Sequence, residues 1–67
     1  MLSPIITELI QRRKKLHVTQ QEVARRMGTT QTTVARVERS DHVPRLETIE
    51  RYAKAIQCHL ILVDDNE

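Results

Sequence analysis

The sequence predicts a small, mainly α-helical domain of four helices followed by one short β-strand. Apolar residues recur every three or four positions in four separate segments, which is the spacing of helices that bury one face. Only 1 glycine and 2 prolines occur in 67 residues, too few for the turns of an all-β protein. The last segment, residues 59–63, is apolar on both alternating faces, which favours a strand.

Length, cysteine content and motif content exclude several classes of protein. A chain of 67 residues holds one core, so we predict a single domain over residues 1–67. A lone cysteine forms no internal disulfide, and the apolar run 60–63 is too short for a bilayer; we therefore expect a cytoplasmic protein that does not enter membranes. Because neither metal-ligand spacing nor a phosphate-binding loop occurs, we predict no metal, no cofactor and no enzyme.

The charge is distributed unevenly along the chain. All 11 Lys and Arg residues lie between Arg12 and Lys54, whereas three of the 9 acidic residues follow Val63. The first 63 residues therefore carry a formal charge of +5, which favours a polyanionic partner. With 1 Tyr and no Phe or Trp, the chain lacks the aromatic platforms that stack single-stranded bases.

The first two predicted helices have clear start and end signals. A serine and a proline begin the first, Pro4–Lys15, and a basic run closes its last turn. Thr19 and Glu22 have the spacing of a capping box and begin the second, Gln20–Met27. Gly28 ends that helix because glycine adopts the left-handed conformation at little cost.

The second half of the chain contains two more helices and the strand. Thr30 is the predicted N-cap of a helix over Gln31–Arg39, and after a loop the next helix covers Leu46–Gln57. A strand that is apolar on both faces needs cover on both and a ladder partner, yet no second strand is predicted. We therefore expect two copies to pair antiparallel across a two-fold axis. The predicted dimerisation residues are Leu60, Ile61, Leu62 and Val63.

Two short helices joined by Gly28-Thr29-Thr30 form a helix-turn-helix pattern over residues 19–39. In this motif the first helix packs across the second and directs its N-terminus into a DNA major groove. The exposed start of the second helix must then carry groups that hydrogen-bond base edges. The candidate base-reading residues are Gln31, Thr32, Thr33 and Arg36.

The stretch VTQQEVARRMGTTQTTVARVER, residues 18–39, resembles the Cro/C1-type (XRE) family of phage and bacterial repressors. The family has Thr-Gln, then Glu, Ala and Gly at fixed offsets, then Gln-x-x-Val/Ile and an apolar-Glu pair. Residues 44–56 also match its following helix. The resemblance covers about residues 5–57 and implies a lambda-repressor-like helical bundle. It further implies a homodimeric repressor that reads a palindromic operator in double-stranded DNA.

The resemblance also implies roles for individual residues. The phosphate-binding positions are Gln20, Thr30, Arg39, His42 and Arg45. Gln20 would in addition buttress Gln31. Arg13 and Glu38 match the positions of an internal ion pair that joins the first and third helices in lambdoid repressors.

The sequence departs from the family pattern at three points. Glycine is usual near Ser40 or Asp41 and at the position of Gln57, and this chain has none there. A strand replaces the fifth helix of many phage repressors. This arrangement resembles the compact HipB and HigA antitoxins of toxin–antitoxin operons, which dimerise and repress their own promoters. A module whose main role is to neutralise a partner toxin is therefore the alternative function.

Overall fold

The computed structural model describes residues 4–39 and 44–64. This part of the chain forms four helices, so the predicted mainly α-helical class is confirmed. The helices are α1 (Pro4–Lys15), α2 (Gln20–Met27), α3 (Gln31–Arg39) and α4 (Leu46–Ala55). The bounds of the first three agree with those predicted from the sequence. None of these four helices is long and apolar enough to cross a membrane.

The apolar core takes side chains from all four helices. Val23 of α2 and Val34 of α3 are completely buried, as is Ile56 just after α4. Burying each such side chain stabilises the fold by about 1.5–3 kcal/mol. α1 and α2 each pack against both α3 and α4. α3 therefore contacts the other helices through one face, and its opposite face lies outside the core.

Three helices end with the same backbone geometry. A left-handed residue follows each of these helices within two positions, with φ of 60° at His17 after α1, 74° at Gly28 after α2 and 60° at Gln57 after α4. The next amide N–H then donates to a carbonyl five residues back, as in a Schellman motif. These bonds are Val18 to Arg13 at 3.1 Å, Thr29 to Ala24 at 2.9 Å and Cys58 to Ala53 at 2.8 Å.

The end of α4 corrects the sequence prediction. α4 ends at Ala55, two residues before the predicted Gln57. Gln57 takes the left-handed conformation, with φ of 60°, and this turn closes the helix early. The sequence did not indicate this early end, because glutamine adopts the left-handed conformation only at a steric cost and is not expected there.

Residues 58–64 carry neither helix nor strand in the structure. A strand is defined by a hydrogen-bonded ladder, and a single copy supplies no second strand within the described ranges. The strand over residues 59–63 and its pairing across a dimer therefore stay predictions. Most of the loop predicted between α3 and α4 lies outside the described residues.

Candidate nucleic-acid interface

Two threonine caps and one glycine turn position α2 and α3. The Thr19 hydroxyl accepts a hydrogen bond from the Glu22 amide at 3.0 Å and begins α2. The Thr30 hydroxyl accepts from the Thr33 amide at 3.2 Å and begins α3. Between them Gly28 reverses the chain with φ 74°. Each cap satisfies an amide that has no partner within its helix, so both helix starts are well defined.

The outer face of α3 is polar and accessible. Gln31, Thr32 and Arg36 are exposed, whereas Val34 and Val37 are buried on the opposite face. Three of the four predicted base-reading side chains therefore lie together on one surface. The fourth, Thr33, is half-buried, and its hydroxyl lies 3.0 Å from that of Thr30.

The predicted phosphate-binding residues have different environments. Thr30, Arg39 and Arg45 are exposed, and His42 lies outside the described residues. The half-buried amide of Gln20 donates to Glu38 Oε1 at 2.8 Å. The structure thus gives this amide a partner in the protein other than the expected Gln31.

A buried polar cluster lies behind α3. We call it the Glu38 cluster, and its members, one from each helix, are Arg13, Gln20, Glu38 and Tyr52. Arg13 donates to both oxygens of Glu38, from Nε at 2.8 Å and from Nη2 at 3.1 Å. The Tyr52 hydroxyl donates to Glu38 Oε2. One carboxylate is therefore bonded to side chains from each of the other three helices.

Glu38 remains ionised because the hydrogen bonds that it accepts stabilise the carboxylate more than burial destabilises it. Burial alone would raise the pKa of Glu38, but hydrogen bonds from Arg13, Tyr52 and Gln20 bring that pKa below its ordinary value. Burial and the bond to Glu38 both raise the pKa of the Tyr52 hydroxyl. Arg13 also donates to the Val18 carbonyl at 2.9 Å. Within the described ranges, no buried side-chain N or O atom lacks a hydrogen-bond partner.

Sequence reasoning paired Arg13 with Glu38 but missed Gln20 and Tyr52 as members of the cluster. A signal was present for Tyr52, which lies beside the apolar stripe of α4. A tyrosine buried on such a stripe normally needs a hydrogen-bond partner for its hydroxyl.

Two cations of α2 have partners within the protein. Arg25 and Arg26 both donate to the half-buried Glu22, whose pKa is lowered to about 2 by these hydrogen bonds. Arg26 also donates from Nη1 to the Ala55 carbonyl at 2.7 Å, which satisfies the end of α4. These two guanidinium groups are thereby oriented by intramolecular contacts. The described residues contain no group of three or more potential metal ligands.

The segment that follows α4 exposes several aliphatic side chains. Leu60 packs partly against the core. The next three residues project from it, since Ile61 is 73% exposed, Leu62 102% and Val63 74%. These three side chains are consecutive in the sequence, so they form one exposed aliphatic segment.

Comparisons with known proteins agree with this geometry. A family model described as "Helix-turn-helix" matches residues 9–63. Two curated relatives are "Antitoxin HigA1" of Mycobacterium tuberculosis, from strains CDC 1551 / Oshkosh and ATCC 25618 / H37Rv. Each is 42% identical over 59 residues, which is 88% of this chain and 40% of the relative. The chain thus spans less than half the length of these relatives. No solved structure matches the chain.

Proposed function

The chain belongs to the helix-turn-helix family, and from that premise we propose that it is a transcriptional regulator that binds specific double-stranded DNA. The carrying observation is the exposed polar face of α3, held against the core by its opposite face. Gln31 matches the donor–acceptor pair of adenine, Arg36 matches guanine, and Thr32 offers a hydroxyl and a methyl group. Thr33 contributes its methyl group, since its hydroxyl is within bonding distance of Thr30.

Phosphate contacts would hold α3 in register with the groove. Thr30, Arg39, His42 and Arg45 serve this role in our proposal, together with amides at the starts of α2 and α3. Gln20 joins them although it is bonded to Glu38. A carboxamide nitrogen carries two hydrogens, so one donates to Glu38 and the other to a phosphate.

We propose that the regulator is a homodimer and acts as a repressor. The segments 59–63 of two copies pair antiparallel, and this pairing covers Ile61, Leu62 and Val63. A two-fold dimer presents two copies of α3 to a palindromic operator, with half-sites about 34–36 Å apart. In this proposal the protein binds DNA without catalysing a reaction, and it acts in the cytoplasm.

The DNA-binding proposal is tested with Gln31→Ala and Thr32→Ala. Each substitution removes a base contact without touching the core, so specific binding should weaken by about 1–3 kcal/mol. Binding is measured by fluorescence anisotropy on the duplex upstream of the protein's own gene, at low salt. Gln11→Ala removes an exposed glutamine from α1 and serves as the matched control. Wild-type affinity in both α3 variants, or no binding by the wild type, contradicts the proposal.

A second candidate function is neutralisation of a partner toxin. It is supported by the two relatives named antitoxins and by the exposed apolar segment, which also suits a protein partner. This role is compatible with DNA binding, since an antitoxin of this kind represses its own operon. Co-expression with the neighbouring gene of the operon tests it. Rescue of growth and co-purification of the two products are expected, and growth arrest despite co-expression contradicts it.

A further inference from the structure

The last turn of α1 carries three exposed cations that the function proposed above does not use. These cations are Arg12, Lys14 and Lys15, and Arg13 between them is buried in the Glu38 cluster. The backbone carbonyls of residues 12, 13 and 14 already accept hydrogen bonds from the amides of residues 16, 18 and 17. The lysine ammonium groups are therefore not needed to satisfy the end of this helix.

Lys14 and Lys15 have no acidic neighbour on their own helix turn, whereas Arg12 has one. Glu8 lies four residues before Arg12, a spacing at which opposite charges stabilise a helix. Residues 9–21 contain no Asp or Glu. Neither lysine forms a salt bridge with a described residue. The described part of the chain thus leaves the charges of both lysines unpaired.

Helical geometry places Arg12 and the two lysines on different sides of α1. Arg12 lines a groove together with residues 58–60, so the segment that follows α4 lies on the Arg12 side. Each residue advances about 100° around a helix, so Lys14 lies on the opposite side of the buried Arg13. Because α1 packs against α3 and α4, this opposite side is the side of α3. Lys15 lies about 200° around the helix from Arg13 and is directed away from both helices.

Two of the proposed phosphate-binding residues lie on the α3 side of α1. Arg13 donates to Glu38 at 2.8 Å, and the exposed Arg39 follows Glu38 directly at the end of α3. Gln20 of α2 donates to the same carboxylate, also at 2.8 Å. Glu38 is the one acidic residue of α3, and its charge is balanced by Arg13. Lys14 is therefore an unpaired cation beside a surface that already holds Gln20 and Arg39.

We propose that Lys14 binds a phosphate of the DNA backbone, beside those bound by Gln20 and Arg39, and that Arg12 and Lys15 do not. The proposal rests on the DNA-binding function proposed above and adds a contact from α1 to it. A lysine ammonium is a point charge on a flexible four-carbon stem, which suits a phosphate oxygen. Because phosphates carry no sequence information, this contact raises the affinity for every duplex and leaves discrimination between duplexes to α3.

The salt dependence of DNA binding tests this inference, because each phosphate contact adds about 0.9 to the magnitude of the slope of log K against log salt. Fluorescence anisotropy on the full chain gives the binding constants. The two probes are the duplex upstream of the protein's own gene and a scrambled duplex of the same composition. The test variant is Lys14→Gln. Lys15→Gln and Arg12→Gln are matched controls, since each removes the same charge from a neighbouring exposed position.

Lys14→Gln should reduce the slope by about 0.9 for each bound copy and weaken binding about five- to tenfold at roughly 0.1 M salt. The loss should be equal on both duplexes. Lys14→Arg keeps the charge and should keep the wild-type slope. The two controls should change the slope much less, and circular dichroism should show unchanged helix in every variant.

Three results would contradict this inference. Equal changes in Lys14→Gln and its two controls would mean that these cations act through the overall charge, and would leave the DNA-binding function intact. A loss confined to the upstream duplex would also overturn the inference, because a phosphate contact does not depend on sequence. A wild type that binds neither duplex overturns both the proposed function and this inference.

Discussion

The Glu38 cluster and the apolar segment 60–63 both depart from the usual arrangement, in which charged groups are exposed and aliphatic groups are buried. The cluster holds charged groups in the interior, and the segment holds aliphatic groups in solvent. Every buried polar side-chain atom of the cluster has a partner inside the same chain. The exposed residues of the segment have no such cover among the described residues. The comparison teaches that the folding of one copy accounts for the cluster, whereas the described part of one copy leaves Ile61, Leu62 and Val63 exposed, which is the observation behind the proposed dimer.

The largest expected effect comes from breaking the cluster. Glu38→Ala leaves Arg13 buried without its counter-charge and should cost about 3–5 kcal/mol of unfolding free energy. Urea unfolding followed by circular dichroism measures it, with the exposed Glu50→Ala as control. Tyr52→Phe removes only the hydroxyl, keeps the domain folded and should cost about 1–2 kcal/mol. If Glu38→Ala is no less stable than Glu50→Ala, the cluster does not stabilise the fold.

Breaking the segment should affect association and leave folding unchanged. Leu62→Asp should weaken the dimer by at least about 3 kcal/mol, since two leucine side chains lose their cover. Light scattering over a dilution series gives the mass, and circular dichroism should show unchanged helix. Leu46→Asp alters another leucine that is 63% exposed and should leave the dimer intact. A Leu62→Asp dimer of wild-type affinity would contradict the proposed interface.

Acid should weaken the cluster more gradually. The folded-state pKa of Glu38 lies below its value in the unfolded chain, so the stabilisation is complete above the unfolded pKa and declines as pH falls through the folded pKa. Unfolding free energies measured from pH 7 to pH 3 should decrease below about pH 4.5. Glu38→Gln should flatten this decrease. Glu22→Gln controls for the other carboxylate of lowered pKa, and an equally steep decrease in Glu38→Gln would exclude the cluster as its source.

The smallest expected effect concerns the turn that joins the core to the segment. Gln57 is left-handed, a conformation that costs a residue with a Cβ roughly 1 kcal/mol. Gln57→Gly should therefore raise the unfolding free energy by about 0.5–1 kcal/mol, although glycine gains entropy in the unfolded chain. Thermal unfolding measures the change. Gln21→Gly, at an exposed position within α2, should have the opposite sign.

Features set by neighbouring residues could be predicted from the sequence. Thr19 predicts the start of α2 and Gly28 predicts its end, because a helix cap involves only a few adjacent residues. The pairing of Arg13 with Glu38 came from a resemblance to known repressors, and the structure contains that ion pair. The partnership of Gln20 and Tyr52 with the same carboxylate depends on how four helices pack. No local pattern contains that information.

The end of α4 and the segment after it show two other limits. The predicted α4 is two residues too long, because glutamine has a high helix propensity whereas the backbone of Gln57 is left-handed. Residues 58–64 carry no strand in one copy, and the ladder partner of the predicted strand would belong to another chain. The base-reading residues could be proposed from the sequence because their chemistry and their place at the start of α3 are local properties.

The four-way bonding of Glu38 has a consequence for how the domain opens. If any one helix moved away, the buried Glu38 carboxylate would lose at least one of its hydrogen bonds, so partial opening would forfeit part of the stabilisation that the cluster provides. The four helices should therefore behave as one cooperative unit, and their slowest amide hydrogens should exchange through a shared global opening. Residues 60–63 lie outside the four helices, so their amide hydrogens are expected to exchange faster than those of the helices.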